Sequence, residues 1–221
     1  KEIPKGWKTC SLRFAVIYYI GGGWGEEKKF KDSVEAYVIR GTDIPFIKDG
    51  NVSSVPLRYH KNSNYKVRQL KDKDIILEIS GGSKGQPVGR VALINSLLLQ
   101  QLNNHAICAS FCKLIRLKDE FSPYYIYLLL NDIYYSENIL RYQLQSTGIS
   151  NFNFEFFLDD VKILLLPDKI KTKFDLILEL LFNKISFNGN QARILSQIRD
   201  ALLPKLMSGK IRVPLEEKDN D

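Results

Sequence analysis

The sequence has few cysteines and no long apolar run, and both absences exclude whole classes of protein. Its cysteines, Cys10, Cys108 and Cys112, are an odd number in a chain of 221 residues, which does not describe a disulfide framework. Apolar runs such as 163–166 and 176–182 are far shorter than the roughly 20 residues that cross a bilayer. The N-terminus carries no apolar signal region. We therefore expect a protein of the cytoplasm with no membrane contact.

The motifs of nucleotide-binding and hydrolytic enzymes are missing as well. The glycines of 21–28 do not have the G-x-G-x-x-G spacing, and the glycine segment 81–90 lacks the G-K-[ST] ending of a phosphate loop. His60 and His105 are the only histidines, and neither lies in a catalytic motif. His105, Cys108 and Cys112 have no fourth ligand nearby in sequence, which favours packing over a metal site. We predict no catalytic residue, no cofactor and no metal.

What is present is an ordinary globular composition with a modest positive charge. The chain is 44% hydrophobic and 26% charged, with a net charge of +7. Residues 1–165 hold 22 basic against 17 acidic residues, and residues 166–221 hold 10 against 8. A surplus of this size is compatible with binding a polyanion such as DNA but does not require it.

Residues 1–166 have the pattern of a single mixed α/β domain. Short β-type segments joined by glycine turns occupy the first half. From Ser122 the apolar residues recur at helical spacing, with Ser122 and Pro123 placed as N-cap and first-turn residues. A polar loop, 147–153, then leads to a final strand that ends at Pro167. The predicted fold class is α+β, with this domain followed by a long C-terminal helix.

The predicted long helix runs from Asp168, taken as its cap, to about Leu203, where Pro204 interrupts it. A heptad assignment gives a nearly continuous apolar seam, typical of a coiled coil. Asn188, Gly189 and Arg199 weaken it. The seam residues are Phe174, Leu178, Leu181, Ile185, Ala192, Leu195 and Leu202.

Two arrangements of this helix are open, a coiled coil with a partner or a helix folded back on its own domain. About 36 residues at 1.5 Å each give a length of about 54 Å, longer than a domain of this size is wide. The length favours the coiled coil. We assign 167–207 to this dimerisation and spacer region and 208–221 to a C-terminal tail.

Four stretches of the chain resemble the specificity subunits of Type I restriction-modification enzymes. They are EIPKGWKTCSL near the start, VIRGTDI at 38–44, LKDKDIILEISGGSKGQPVGR at 70–90 and IRDALLPKLMSGKIRV at 198–213. Each stretch is moderately specific, and their order and spacing extend the resemblance over nearly the whole chain.

The resemblance implies a mixed α/β target recognition domain and a helix that packs antiparallel on the equivalent helix of another repeat. Complete subunits carry two such repeats and this chain has one, so it is expected either to form a homodimer or to need a second half-subunit. Implied partners are double-stranded DNA, methyltransferase (modification) subunits and a restriction subunit. A rod of about 54 Å would separate two reading domains by more than one DNA turn of about 34–36 Å, which predicts a bipartite target.

Base reading requires donors and acceptors on loops. Candidates in VIRGTDI, in the glycine segment and in the polar loop are Arg40, Thr42, Ser83, Lys84, Gln86, Arg90, Ser150 and Asn151. Each has a structural alternative: Arg40 is also placed to pair with Asp43, and the glycines near 81–85 are also turn formers.

Two other functions stay open at this point. One is a DNA-recognition fragment of a catalytic DNA methyltransferase or endonuclease. The other is a coiled-coil interaction protein that does not read DNA. Turnover with a methyl donor or with magnesium would indicate the first, and a lack of sequence-selective binding would indicate the second.

Overall fold

A computed structural model describes residues 7–81, 86–146 and 149–212. It has a mixed α/β head followed by one long helix, which confirms the predicted fold class. The strands in chain order are β1 (Lys8–Ser11), β2 (Val16–Gly21), β3 (Ser33–Ile39), β4 (Leu57–Lys61), β5 (Ile75–Glu78), β6 (Ser80–Gly81), β7 (Val91–Leu93), β8 (Ala106–Cys108), β9 (Cys112–Leu117), β10 (Gln143–Ser146), β11 (Ile149–Phe152) and β12 (Lys162–Leu165).

The helices separate these strands and cover their faces. In chain order they are α1 (Leu12–Ala15), α2 (Ile44–Lys48), α3 (Asn62–Arg68), α4 (Ser96–Gln101), α5 (Pro123–Tyr135), α6 (Phe154–Asp160) and α7 (Asp168–Met207). Short 3-10 turns occupy Gly41–Asp43 and Asn138–Tyr142. No helix in the described ranges is both long enough and apolar enough to span a bilayer.

The strands of the described residues form four small sheets. The central one has the order β2-β9-β5-β7 and is antiparallel throughout. A second has the order β4-β3-β8, in which β3 and β8 are parallel. The hairpin β10-β11 extends onto β6, and β1 pairs with β12 next to the start of α7.

The central sheet is covered on both faces because β5 is apolar on both. Ile75 and Leu77 belong to the core beneath α5 and α6. Ile76, between them, belongs to the core beneath α2 and α4. Alternate residues of a strand point to opposite faces, so the continuous apolar run of β5 matches a strand buried on both sides.

The helix α5 begins as the sequence predicts. The Ser122 hydroxyl accepts a hydrogen bond from the Tyr125 amide at 3.0 Å, and Pro123 occupies the first turn. The predicted final strand before Pro167 is confirmed as β12. The short helix α6, capped by Asn153, intervenes between the polar loop and this strand, where the sequence pattern did not indicate a helix.

The long helix differs from its prediction at both ends. Pro167 is the N-cap and Asp168 is the first helical residue, with no side-chain cap. Asp168 still places a negative charge at the positive end of the helix dipole. The helix passes through Pro204 and ends one turn later, at Met207. With 40 residues, it is about 60 Å long.

Candidate nucleic-acid interface

Several loops of the head meet around one open cleft of about 640 Å³. Its walls come from the 3-10 turn after β3, the consecutive strands β5 and β6, the segment before β7 and the turn between β8 and β9. The described lining residues are Trp24, Arg40, Gly41, Thr42, Glu78, Ser80, Gly81, Gln86, Arg90, Ala109, Ser110 and Phe111.

The cleft brings together candidates that are far apart in the sequence. Arg40 and Thr42 come from VIRGTDI, and Gln86 and Arg90 come from the glycine segment. Asn151 lies beside the cleft, because its side-chain oxygen accepts a hydrogen bond from the Ser80 hydroxyl at 3.1 Å. The fold therefore brings candidate segments together, and their contact with DNA stays a prediction.

Of the three remaining candidates, the structure describes the backbone position of one. Ser150 lies on β11, paired in register with Gly81 of β6, which brings β11 to the cleft's edge. Ser83 and Lys84 lie outside the described residues.

Arg40 is held by a carboxylate within its own turn. Its Nε and Nη2 donate to the two carboxylate oxygens of Asp43 at 2.9 and 2.8 Å, and Nη2 also donates to the Ser54 carbonyl. Burial raises the pKa of Asp43, but hydrogen bonds from Arg40 and Ser54 outweigh it and bring that pKa below its ordinary value. The structural alternative considered for Arg40 is therefore present in the fold.

Arg90 is paired in the same way with a buried glutamate. Its Nε and Nη2 donate to the two carboxylate oxygens of Glu78 at 2.8 and 2.6 Å, and both side chains are largely buried. Hydrogen bonding to Glu78 raises the pKa of Arg90. Planar bidentate pairing of this kind neutralises the charge of the guanidinium and fixes its orientation.

Gly41 allows the two ion pairs to lie close together. A Cβ built on Gly41 would fall onto the Glu78 carboxylate, with the carboxyl carbon only 3.0 Å away. The glycine of VIRGTDI therefore lets the 3-10 turn that carries Arg40 pack over the Glu78–Arg90 pair.

Sequence reasoning missed the exposed aromatic side chains of the cleft. Trp24, from the loop after β2, is 40% exposed, and Phe111, from the turn between β8 and β9, is 60% exposed. Arg58 lies 4.5 Å from the centre of the Trp24 ring. An isolated Trp within the glycine run 21–25 was a usable signal, because a glycine loop offers little to bury it.

The segment that contains Cys108 and Cys112 folds as two strands, β8 and β9, joined by a turn at 109–111. Cys108 and Cys112 lie in the core beneath α2 and α4, which confirms the packing interpretation for both. Burial raises the pKa of Cys108 to about 12.

The first part of α7 packs on the head. Phe174, Leu178 and Phe182 contact the core beneath α5, and Ser186 and Gly189 are buried further along. Asn95, the N-cap of α4, donates from its amide to the Ser186 hydroxyl at 2.8 Å and to the Phe182 carbonyl at 3.2 Å. The folded-back alternative is therefore correct for this part of the helix.

The opposite face of α7 is apolar and exposed. A helix repeats every 3.6 residues, so Leu176, Leu180, Leu195, Ile198 and Leu202 lie on the side away from the head, and each is at least 41% exposed. From 191 onward the described side chains lie almost entirely at the surface. The head of the same chain therefore buries one apolar stripe of α7, and a second apolar stripe stays exposed.

This division splits the predicted seam. Phe174 and Leu178 contact the head, because the heptad stripe and the docking face overlap at the start of the helix. The other five seam residues are exposed, namely Leu181, Ile185, Ala192, Leu195 and Leu202.

A mixed α/β head carrying a long helix is the fold of Type I restriction-modification specificity subunits. The crystal structure of such a subunit from M. genitalium matches 94% of this chain and 48% of its own, with a TM-score of 0.56 and 14% identity. A structure described as the basis of complex assembly and conformational transition of the type I R-M system matches 93% of this chain and 46% of its own, with a TM-score of 0.50 and 14% identity.

More particularly, the chain is similar to the Type I restriction enzyme MjaIX specificity subunit of Methanocaldococcus jannaschii. The two are 29% identical over 231 residues, which cover 96% of this chain and 46% of that subunit. No protein-family model matches the chain. The resemblance found in the sequence is confirmed, and the chain spans about half the length of the relatives it matches.

Proposed function

We propose that the chain is a non-catalytic, sequence-specific DNA-binding half of a Type I restriction-modification specificity subunit. The observation that carries this proposal is the convergence of two polar segments, distant in sequence, on one cleft of the head, with β11 of a third at its edge. Loops held by a rigid scaffold often carry binding residues, and such side chains can supply the donors and acceptors that read base edges.

The hydrogen bonding of two carboxylates, one in the cleft and one beside it, supports a binding role without catalysis. Glu78, which lines the cleft, and Asp43, in the adjoining 3-10 turn, each accept two hydrogen bonds from the guanidinium of one arginine. A carboxylate bound in this way is a poor general base, because abstracting a proton would disrupt the ion pair. The catalytic-fragment alternative therefore finds no support among the described residues of the cleft.

A second copy, or a second half-subunit, is the proposed occupant of the free face of α7. The distal stripe Leu195, Ile198, Leu202 and Leu206 is apolar, whereas Lys184, Asn188 and Gln191 interrupt the same face nearer the head. Antiparallel pairing along the distal part would cover this stripe and direct two heads toward opposite ends of a rod longer than one DNA turn. The target would then have two read parts and an unread spacer.

The assembled function would be to direct other subunits to this target. Methyltransferase subunits and a restriction subunit are the proposed protein partners, and double-stranded DNA is the proposed ligand. The chain would bring neither a cofactor nor a metal of its own.

Selection from a pool of random duplexes tests the proposal. Bound molecules are recovered at two salt concentrations and sequenced. We expect a preferred split motif, with an affinity that falls steeply as salt rises because phosphate contacts release counterions. Recovery without any sequence preference would contradict DNA reading and favour the coiled-coil interaction protein.

A further inference from the structure

Most of the described surface of the cleft is apolar, and the charges of its side chains are balanced by ion-pair partners. The cleft nevertheless lies on a domain that is proposed to bind a polyanion. Its charged described lining residues are Arg40, Glu78 and Arg90, and each is in an ion pair at 2.6–2.8 Å. Trp24, Ala109 and Phe111 provide apolar surface, and Thr42, Ser80 and Ser110 provide hydroxyl groups.

This chemistry does not suit a phosphate. Phosphate contacts draw their positive charge from Lys and Arg side chains, with hydroxyl, amide and backbone N–H donors in addition, whereas both described arginines of the cleft are bidentate to carboxylates. The part of DNA that combines an apolar group with hydrogen-bonding groups is a base edge in the major groove. The apolar group there is the C5 methyl of thymine.

The aromatic side chains are placed to receive such a group. Trp24 and Phe111 come from different loops and line the same cleft, and both keep a large exposed surface. The Trp24 loop is also fixed from behind, because Gly25 packs so closely on His60 that a Cβ would lie 2.7 Å from Nε2 of the ring. A loop fixed in this way presents its side chain to a ligand with less loss of conformational entropy.

We propose that Trp24 and Phe111 form a specificity-determining contact to the 5-methyl group of a thymine in the target. The inference rests on the proposed function and adds a ligand chemistry that the polar candidates do not supply. Arg40 and Arg90 then act as positioning residues that shape a neutral floor, and the surrounding hydroxyl groups meet the polar part of the base edge.

The test uses the full chain and the duplex recovered by the selection above. Each thymine of the preferred motif is replaced in turn by deoxyuridine, which removes only the methyl group. We expect at least one position at which the wild-type affinity falls roughly fourfold, the loss expected for one buried methyl. This arm needs no variant and does not depend on whether a variant folds.

A variant arm links the methyl effect to the two residues. Trp24→Ala with Phe111→Ala should weaken binding of the thymine duplex by about tenfold or more, and it should abolish the difference between thymine and deoxyuridine. Phe14→Ala is the control, because Phe14 is 54% exposed but lines a different hollow. It should leave both affinities unchanged.

The inference and the proposed function fail in different ways. A preferred motif without thymine, or one indifferent to every deoxyuridine substitution, would overturn the methyl contact and leave DNA reading intact. A methyl effect that persists in the double variant would overturn the assignment to Trp24 and Phe111. A pool recovered with no sequence preference would overturn both claims.

Discussion

Gly189 of α7 lies directly against Gly50 in the turn after α2. A Cβ built on Gly189 would lie 2.5 Å from the Gly50 carbonyl carbon, and one built on Gly50 would lie 2.7 Å from the Ser186 Cα. Backbone therefore meets backbone where the long helix leaves the head, and neither position has room for a side chain.

Gly189→Ala should lower the free energy of unfolding despite the better helix propensity of alanine. Overpacking a closed contact costs about 1–3 kcal/mol, which outweighs a propensity gain of about 1 kcal/mol. Urea unfolding measures the change. Ala192→Gly, at an exposed site on the same helix, calibrates the propensity effect and should cost about 1 kcal/mol. A more stable Gly189→Ala protein would contradict the close contact.

Arg90→Met should destabilise the head by about 3 kcal/mol or more, because it leaves the Glu78 carboxylate buried without its partner. Adding Glu78→Leu should restore most of that loss, since a buried ion pair can often be replaced by apolar side chains at little cost. Chemical unfolding of the single and double variants checks both expectations.

The same double variant distinguishes a structural role of Arg90 from a role in reading bases. If Arg90 only positions the cleft, the folded double variant keeps the sequence preference of the wild type in a competition gel shift. A double variant that is stable but no longer discriminates between sequences would identify Arg90 as a base-reading residue.

Stability should depend on the ionisation of His60. Burial, and then the nearby Arg68 charge, lower the pKa of His60 below its ordinary value of 6.5. The unfolded chain therefore binds the proton more readily. The contribution of His60 to stability is complete above about pH 6.5 and is lost as the pH falls below it, by at most about 1.4 kcal/mol per pH unit.

His60→Asn should remove this part of the pH dependence. Unfolding free energies at pH 7.5 and pH 5.5 give the slope for each protein, so a general loss of stability in the variant does not obscure the comparison. Equal slopes for the two proteins would contradict the shifted pKa.

Leu195→Asp with Leu202→Asp should convert a dimer into a monomer, because both residues lie on the uncovered distal stripe and charge would be buried in the seam. Sedimentation velocity measures the association state. Leu178→Ala is the contrasting change. It should cost about 2 kcal/mol of stability through lost packing on the head and leave the association state unchanged. A double variant that still dimerises would place the interface elsewhere.

Local signals in the sequence predicted much of the head. Ser122 and Pro123 marked the start of α5 because a cap and a first-turn proline act through adjacent backbone. The run 75–77 has the composition of a strand buried on both faces. The convergence of VIRGTDI with the glycine segment was not predicted, since the contact between β3 and the central sheet is not encoded locally.

The features that the sequence pattern did not show depend on tertiary contacts. Gly189 weakened the seam in the heptad assignment, whereas in the fold it allows the approach to Gly50. Arg40 and Arg90 have the residue type that reads guanine, but buried carboxylates bind their donors. The helix α7 carries two apolar stripes, and a one-dimensional pattern cannot tell which of them the head covers.

The central claim is that α7 holds two DNA-reading heads at a fixed separation, and lengthening the helix tests it most directly. Duplicating residues 194–200 adds one heptad, about 10.5 Å of helix, and keeps the apolar stripe in phase. Selection from random duplexes should then recover the same two half-motifs with a spacer longer by about three base pairs. An unchanged spacer, or a single contiguous motif, would contradict the account.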